Sequence, residues 1–256
     1  MKKIDQIVLI GSGNVACFLA SEMKITQCYA RDKAKAKAMG LIAGSAYTSS
    51  LNDIKDDADL YLIAISDDAI EPFCQSLIKH ISPSSIVAHT SGTMPLDALC
   101  AENRAVFYPL QRFVKGEVLN FHEIPLLIEG SSKEVEESLI DFAKIYSNRV
   151  VAINSEKRRE LHIAAVLTCN FTNHLYSLAW RYLQKKGLSF DLLKPLITES
   201  IKQVISHNGD ISDLQTGPAA RGDKKTMNAH LEMLNNDENL TQIYKLLSNS
   251  IINGKF

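Results

Sequence analysis

A glycine-rich turn near the start of the chain has the residue types and spacing to bind a diphosphate. It follows an apolar strand predicted over 4–10 and opens a helix predicted over 14–23. Gly11 permits a tight turn, Gly13 lets the backbone approach a pyrophosphate, and Ala16 keeps the helix close to the strand. The helix start offers free N–H groups and a positive dipole end. The pattern predicts a dinucleotide site, with an ordinary strand–turn–helix as the alternative. Its predicted binding residues are Gly11, Ser12, Gly13, Asn14 and Val15.

The end of the second predicted strand bears on which dinucleotide would bind. Enzymes that use NAD usually carry an acidic residue about 20 positions after the glycine motif, on the adenosine ribose. Here Arg31 occupies that region, and a guanidinium suits a 2′-phosphate through paired hydrogen bonds. Lys35 adds positive charge from the following helix. The sequence therefore predicts NADP as cofactor. Asp32 keeps NAD open as the less favoured choice, and a solvated helix start would explain the same charges.

Two further strand ends are expected to face the nicotinamide of such a cofactor, because ligands of doubly wound sheets bind beyond the carboxyl ends of the strands. The strand predicted over 59–66 ends with Ile65 and Ser66, and Asp67 follows it. The strand predicted over 85–89 is followed closely by Ser91, a candidate catalytic hydroxyl. Asp67 as a helix cap and Ser91 as part of a turn are the structural alternatives.

His162 is the leading candidate for a proton donor. It lies near the start of a helix predicted over 156–186, just after the last predicted strand, and its ordinary pKa of about 6.5 suits proton exchange at neutral pH. Asn170 follows eight residues later, about 80° around the helix, and could orient a substrate oxygen. The alternatives are a hydrogen-bonded interdomain histidine and a helix–helix hydrogen bond.

A loop predicted over 216–223 supplies one more candidate. Arg221 could bind an anionic group of the substrate or a cofactor phosphate. The alternative is a purely structural loop, in which Asp223 caps the next helix and Arg221 lies on the surface. The seven histidines form no legible metal-ligand cluster, so no metal is expected.

These candidate residues are carried by two differently patterned regions. Apolar strands alternate with helices over residues 1–153, which predicts an α/β domain with a doubly wound, mainly parallel, Rossmann-like sheet for the cofactor. Residues 154–256 show no strand-like alternation and are predicted to form an all-α substrate and dimerisation domain. Its helices are predicted over 156–186, 190–207, 224–235 and 239–253. The long helix is apolar on nearly every side, which predicts a homodimer through this domain.

Composition narrows the function classes. Lys and Arg total 28 against 29 for Asp and Glu, a balance that argues against binding to nucleic acid or to a membrane surface. The uncharged run from Leu161 to Trp180 holds too many polar side chains for a membrane span. The five cysteines lack CxxC spacing, and no apolar signal core precedes the first strand. A cytoplasmic protein acting on a small molecule is therefore expected.

Four segments resemble the NADP oxidoreductase superfamily of pyrroline-5-carboxylate reductase. They are residues 11–16, 60–70, 84–92 and 105–113. The stretches 161–171 and 216–223 resemble more closely a bacterial family in which a Rossmann-like domain precedes a helical domain of unknown function. The resemblance implies an NADP-dependent oxidoreductase of unassigned substrate, and it also suggests a dimer.

Two positions depart from the pattern of the wider superfamily. The strand that often ends in His-Pro there ends in Tyr108-Pro109, and Val166 stands four residues before Asn170 where related hydroxyacid dehydrogenases carry a lysine. Their proton-transfer chemistry does not carry over. The prediction is an oxidoreductase that moves a hydride between NADP(H) and the carbonyl or imine of a small metabolite. The alternative is a sensor or regulatory module that binds NADP(H) without turnover.

Overall fold

The computed structural model describes residues 3–114 and 116–254, and a single sheet organises its first half. Short apolar runs form the strands because both faces of the sheet are covered. In β1, for example, Ile7 and Leu9 pack in one core cluster while Val8 and Ile10 pack in the other. The strands are β1 Ile7–Ile10, β2 Gln27–Tyr29, β3 Ala46–Thr48, β4 Leu60–Ile63, β5 Ile86–His89, β6 Asn103–Pro109, β7 Leu126–Gly130 and β8 Val150–Ala152.

The strand order places a crevice beside β1. Within the described chain the order is β3-β2-β1-β4-β5-β6-β7-β8, and all neighbours are parallel except β6 and β7. The chain winds from β1 outward in one direction through β2 and β3, and then in the other through β4. Ligands of such sheets bind at this switch point, beyond the carboxyl ends of the strands. The predicted doubly wound, mainly parallel sheet is confirmed.

Four helices flank the sheet, and their first residues differ in a way that matters for the site. They are α1 Asn14–Glu22, α2 Lys33–Ala43, α3 Asp67–Leu77 and α4 Lys133–Ala143. The side chains of Asp32 and Ser132 cap α2 and α4, whereas Gly13 and Ser66 give α1 and α3 no side-chain cap. The orphan N–H groups of α1 and α3 therefore stay available at the carboxyl edge of the sheet.

Local predictions failed at two short segments. β3 was not predicted as a strand, because three residues at the sheet edge are too short to show an alternating pattern. The sequence also predicts a helix from Pro95 to Ala101, but the structure has only the 3-10 turn Leu96–Ala98 there. Other 3-10 turns span Leu51–Asp53, Phe121–Glu123, Phe190–Leu193 and Ile211–Leu214.

The helix predicted over 156–186 is divided by a π turn. Helix α5 covers Ser155–Ala165, the π turn covers Val166–Phe171, and α6 covers Thr172–Lys185. Within this region the Thr168 hydroxyl donates to the carbonyl of Ala164 at 2.9 Å, a bond that competes with the regular helical ladder. Turns of this kind often occur at functional sites.

The chain divides into two compact units, Met1–Cys169 and Asn170–Phe256. The division falls later than the predicted boundary at 153, because α5 is held to β7 by a buried ion pair of Arg158 with Glu129. The second unit is helical. It contains α6, α7 Lys194–Ser206, α8 Lys224–Leu234 and α9 Glu238–Asn253.

Helices α6 to α9 bury none of their side chains in the single chain. Large apolar side chains are exposed instead, among them Leu192, Leu196 and Ile205. A search of the described residues for a helix long and apolar enough to cross a membrane finds none.

Candidate functional site

Gly11 allows β1 to turn beside β4. Its φ is +130°, and a Cβ at this position would lie 2.1 Å from the carbonyl oxygen of Ala64, so any side chain is excluded. The Gly11 N–H donates to the carbonyl of Tyr29 at 2.9 Å, which ties the turn to β2. The first glycine of the motif thus has the predicted structural task.

Gly13 opens the space above the start of α1. A Cβ built on it would meet no described atom within 4 Å, and no side chain caps the helix there. Ser12 is half-buried, Asn14 donates through Nδ2 to the Phe113 carbonyl at 3.0 Å, and Val15 packs on the core. These residues fit a bound diphosphate, because free N–H groups and a dipole end face unfilled space.

Arg31 and Lys35 lie where a 2′-phosphate was expected. Arg31 is exposed two residues after β2, and it forms no ion pair within the described part of the chain. Asp32 is engaged elsewhere, since its Oδ1 accepts from the Lys35 N–H at 2.8 Å as the cap of α2. A capping carboxylate has less freedom to bind ribose hydroxyls. Binding of a phosphate by Arg31 and Lys35 stays a prediction.

The segment after β4 also lies at the carboxyl edge of the sheet. Ile65 is half-buried and Ser66 is the uncapped start of α3. Asp67 is in the first turn of α3, and its Oδ2 accepts a short hydrogen bond from the Thr93 hydroxyl. Asp67 therefore links α3 to the segment after β5 rather than capping the helix.

Ser91 belongs to a turn, which was the structural alternative to a catalytic role. Its Oγ accepts from the N–H groups of Thr93 at 3.1 Å and Met94 at 3.0 Å. These two bonds occupy the acceptor sites of the hydroxyl. A catalytic role for Ser91 stays a prediction.

His89 is a neighbour that the sequence did not single out. Its Nδ1 accepts from the Ser91 N–H at 3.2 Å, and its Nε2 lies 3.3 Å from the carbonyl of Pro95, which defines a neutral ring protonated on Nε2. Burial, followed by the charge of Arg158, lowers the pKa of His89 to about 4. This histidine holds the turn after β5 and stays uncharged at neutral pH.

His162 meets the phenol of Tyr108. The Tyr108 oxygen and His162 Nδ1 lie 3.0 Å apart, and the two rings meet edge to face with centroids 6.0 Å apart. A Cβ on Gly92 would lie 2.5 Å from His162 Nδ1 and 2.9 Å from Tyr108 Cζ. A side chain at position 92 would therefore force one of these two rings to move. Burial raises the pKa of the Tyr108 phenol, so it is protonated at neutral pH.

Arg158 fixes the helix that carries His162. Its side chain is fully buried and pairs with Glu129 on β7, and it also donates to the Met94 carbonyl and to Ser155 Oγ. Ser155 itself donates to Glu129 through its N–H at 2.9 Å and its Oγ at 2.7 Å. His162 is one helical turn after Arg158, on the same face of α5. The buried pair therefore positions the imidazole.

Sequence reasoning missed Tyr108, Arg158 and Glu129 as parts of the site. Tyr108 was noted only as a departure from a family pattern. Arg158 stands in a run of charged residues, 156–160, that is typical of an exposed helix face. No sequence signal distinguishes it from Arg159, which is exposed. Only the fold shows which arginine is buried.

The remaining candidates lie in the second unit. Asn170 is exposed in the π turn, and Arg221 is exposed in the turn before α8. Asp223 caps α8 by accepting from the Thr226 N–H at 3.0 Å and from its hydroxyl at 2.7 Å, as the structural reading of that loop predicted. The roles of Asn170 and Arg221 in ligand binding stay predictions. No cluster of three or more metal-ligating side chains occurs among the residues described.

Comparison with known proteins extends across the chain. The family described as a domain of unknown function, DUF2520, matches residues 124–251. The crystal structure of a "putative NADP oxidoreductase" from Bacteroides fragilis is 38% identical, with a TM-score of 0.90, and covers 97% of this chain and 98% of that chain. No curated protein sequence matches this one.

More distant structures share the fold alone. A protein from Thermotoga maritima is 19% identical with a TM-score of 0.72, over 96% of both chains. An imine reductase from Myxococcus stipitatus in complex with NADP+ is 12% identical with a TM-score of 0.65, over 98% of this chain and 95% of that chain. The relation to pyrroline-5-carboxylate reductase stays a prediction. The family match over half of the sequence and the 38% identity over nearly all of it show that the chain belongs to the DUF2520 family.

Proposed function

We propose that this protein is an NADP(H)-dependent oxidoreductase that transfers a hydride to or from the carbonyl or imine carbon of a small metabolite. One observation carries the proposal. No side chain caps the start of α1, and the space beside Gly13 is open, so the N–H groups of the first helical turn can bind a diphosphate. The name of the 38% identical relative supports the choice of NADP. The five free thiols accord with a reducing, cytoplasmic setting.

Each part of the proposed site has a physical task. The N–H groups of α1 would bind the diphosphate, Arg31 and Lys35 the 2′-phosphate, and the segment 65–67 would lie beside the nicotinamide. Bound NADPH would supply a hydride at its nicotinamide ring. His162 would exchange a proton with the substrate through Nε2, which has no hydrogen-bond partner in the described part of the chain.

We also propose that the active form is a homodimer joined through the helical unit. Helices α6, α7 and α9 bury none of their apolar side chains, so another surface has to cover them. A second copy of the chain presents the same exposed apolar surface and can pack against the first. The exposed apolar side chains of α7 are the candidates for this contact.

Cofactor choice tests the proposal directly. NADPH and NADH would be titrated while nicotinamide fluorescence is followed. A charge-assisted hydrogen bond contributes about 1.5–3 kcal/mol, so NADPH should bind roughly tenfold or more tightly than NADH. Arg31→Ala should remove most of that preference and leave NADH binding unchanged.

Lys79→Ala provides a charge-matched control. Lys79 is exposed beyond the last turn of α3, at the opposite edge of the sheet from Arg31. The Lys79→Ala variant should bind NADPH and NADH with the same affinities as the unmodified protein. Equal affinity for NADPH and NADH, or an equal loss in both variants, would contradict the assignment of Arg31. Tight NADPH binding without oxidation by any imine, 2-keto acid or aldehyde would favour the sensor.

A further inference from the structure

The contact between Tyr108 and His162 joins three segments that are distant in the sequence. Tyr108 lies near the carboxyl end of β6, His162 lies on α5, and Gly92 follows β5. The phenol oxygen is 3.0 Å from Nδ1, while Nε2 has no hydrogen-bond partner among residues 3–114 and 116–254. One ring nitrogen is thus committed to the protein, and the other is available to a ligand.

We propose that Tyr108 sets the tautomer of His162 by donating its phenolic proton to Nδ1, so that the ring presents an N–H at Nε2 to the substrate. The catalytic part of this inference rests on the proposed oxidoreductase function, whereas the tautomer does not. A neutral imidazole carries one proton, and a donor facing Nδ1 requires that proton to be on Nε2. Tyr108 is then a positioning residue that acts through His162.

The charges around the phenol are consistent with this direction of donation. Burial keeps the Tyr108 proton in place, and Asp67 on α3 adds to that effect. Arg158 on α5 opposes it, because its positive charge favours the phenolate. The phenol therefore keeps the proton that the proposed bond to Nδ1 requires, and a guanidinium is close enough to stabilise negative charge on its oxygen.

The proton step balances with these two side chains, a hydride that bound NADPH would supply and a proton from solvent water. When hydride adds to the substrate carbon, the electron pair of the C=O or C=N bond moves to the oxygen or nitrogen. That atom takes the Nε2 proton as its N–H bond breaks, and Nδ1 takes the phenolic proton of Tyr108. The negative charge ends on the Tyr108 oxygen near Arg158, and water returns the proton. Oxidation runs through the same transfers in reverse.

Nitrogen NMR of the histidine ring tests the tautomer without any substrate. In protein labelled with ¹⁵N-histidine at neutral pH, the signal assigned by its loss in His162→Gln should show a bare Nδ1 and a protonated Nε2. Tyr108→Phe removes only the hydroxyl and should shift this signal towards a mixture of tautomers. A protonated Nδ1 in the unmodified protein, or no change in Tyr108→Phe, would overturn the inference.

Tyr146→Phe is the matched control for loss of a phenol. Tyr146 is a half-buried tyrosine of the same unit that stacks on Phe121, and its burial also raises its pKa. This variant should leave the His162 signal unchanged. Melting temperatures of both variants show whether either substitution unfolds the protein. A His162 signal that moves equally in both variants would also overturn the assignment.

Turnover separates this inference from the proposed function. With a substrate in hand, Tyr108→Phe should lower kcat about 10-fold to 100-fold while KM and NADPH affinity stay within about twofold. Adding Tyr108→Phe to His162→Gln should cost nothing more, because the two act as one unit. Additive losses would contradict the pairing. Failure to bind NADPH would refute the proposed function, while the NMR result would still decide the tautomer.

Discussion

Two histidines in the same site are held in opposite ways. Both ring nitrogens of His89 are bound by the backbone, at the Ser91 N–H and the Pro95 carbonyl, whereas His162 is bound through Nδ1 to a single phenol. A ring enclosed on both sides cannot accept a second proton without breaking a hydrogen bond. Both nitrogens of His89 are therefore used by the fold, whereas His162 Nε2 has no hydrogen-bond partner in the described part of the chain.

His89 should make folding sensitive to acid. Burial and the charge of Arg158 lower its pKa to about 4 in the folded state, with Asp67 and Glu129 opposing, against about 6.5 when unfolded. Because the folded pKa is the lower one, the stabilisation is complete above pH 6.5 and is lost as the pH falls towards 4. The loss should be roughly 3 kcal/mol of the free energy of unfolding, measured by urea denaturation across that range.

Two substitutions isolate this contribution. His89→Gln cannot ionise, so its free energy of unfolding should fall less between pH 6.5 and 4 than that of the unmodified protein. His80→Gln changes an exposed histidine and should leave the pH dependence as it was. Parallel pH curves for the unmodified protein and His89→Gln would show that the acid sensitivity comes from other groups.

For single residues, the sequence predicts the role where that role depends only on neighbouring positions in the chain. The tasks of Gly11 and Gly13 follow from a turn between adjacent elements, and their geometry is as expected. The partnership of Tyr108 with His162 depends on a sheet that brings together residues 54 positions apart. No local pattern in the chain encodes such a contact.

At the scale of elements, the tie between α5 and β7 controls the geometry of the site. Arg158 and Glu129 form an ion pair in which the guanidinium is fully buried, and Arg158 also binds the Met94 carbonyl. These contacts join the helix of His162 to the sheet and to the turn after β5. Removing either partner leaves an uncompensated charge in a low-dielectric surrounding.

Arg158→Met should therefore be strongly destabilising. Removing one partner of a buried pair costs about 3–5 kcal/mol of the free energy of unfolding, measured by urea denaturation. The adjacent Arg159 is exposed, so Arg159→Met should change the free energy of unfolding by less than about 0.5 kcal/mol. If Arg158→Met and Arg159→Met lowered the free energy of unfolding equally, the ion pair of Arg158 with Glu129 would not be the source of the stabilisation.

The elements themselves were largely predictable, and the exceptions have physical causes. Strands such as β1 and β4 are buried on both faces and read as apolar runs. The π turn at Val166–Phe171 has no periodic signature, since a continuous helix and a helix with one wide turn share the same apolar pattern. The hydrogen bond from the Thr168 hydroxyl to the Ala164 carbonyl depends on the folded helix and has no counterpart in the apolar pattern.

At the scale of the whole molecule, the exposed apolar surface of the helical unit predicts association. Light scattering at micromolar concentration should give twice the mass of one chain. Ile205→Glu places a charge on α7 at one of the most exposed apolar side chains and should shift the protein to the monomer.

Lys202→Glu is the control for the charge itself. It changes an already charged, exposed position of the same helix and should leave the dimer intact. A monomeric mass for the unmodified protein would contradict the proposed assembly. A dimer that persists in Ile205→Glu would place its contact elsewhere than on α7.

The two-part plan of the chain followed from the change of pattern near residue 154, but the compact units divide only after Cys169. A change of secondary structure marks where strands stop, and a compact unit also depends on which helix packs where. The buried Arg158 assigns α5 to the sheet, and its sequence context gives no sign of burial.

Gly92 limits which substitutions this part of the molecule can accept. With no side chain of its own, it leaves the space in which the rings at positions 108 and 162 meet. A methyl group at position 92 would displace one of the two rings, so Gly92→Ala is expected to disturb the contact between them. A smaller side chain at position 108 or 162 would leave room for that methyl group, so the three positions are expected to depend on one another when they are substituted.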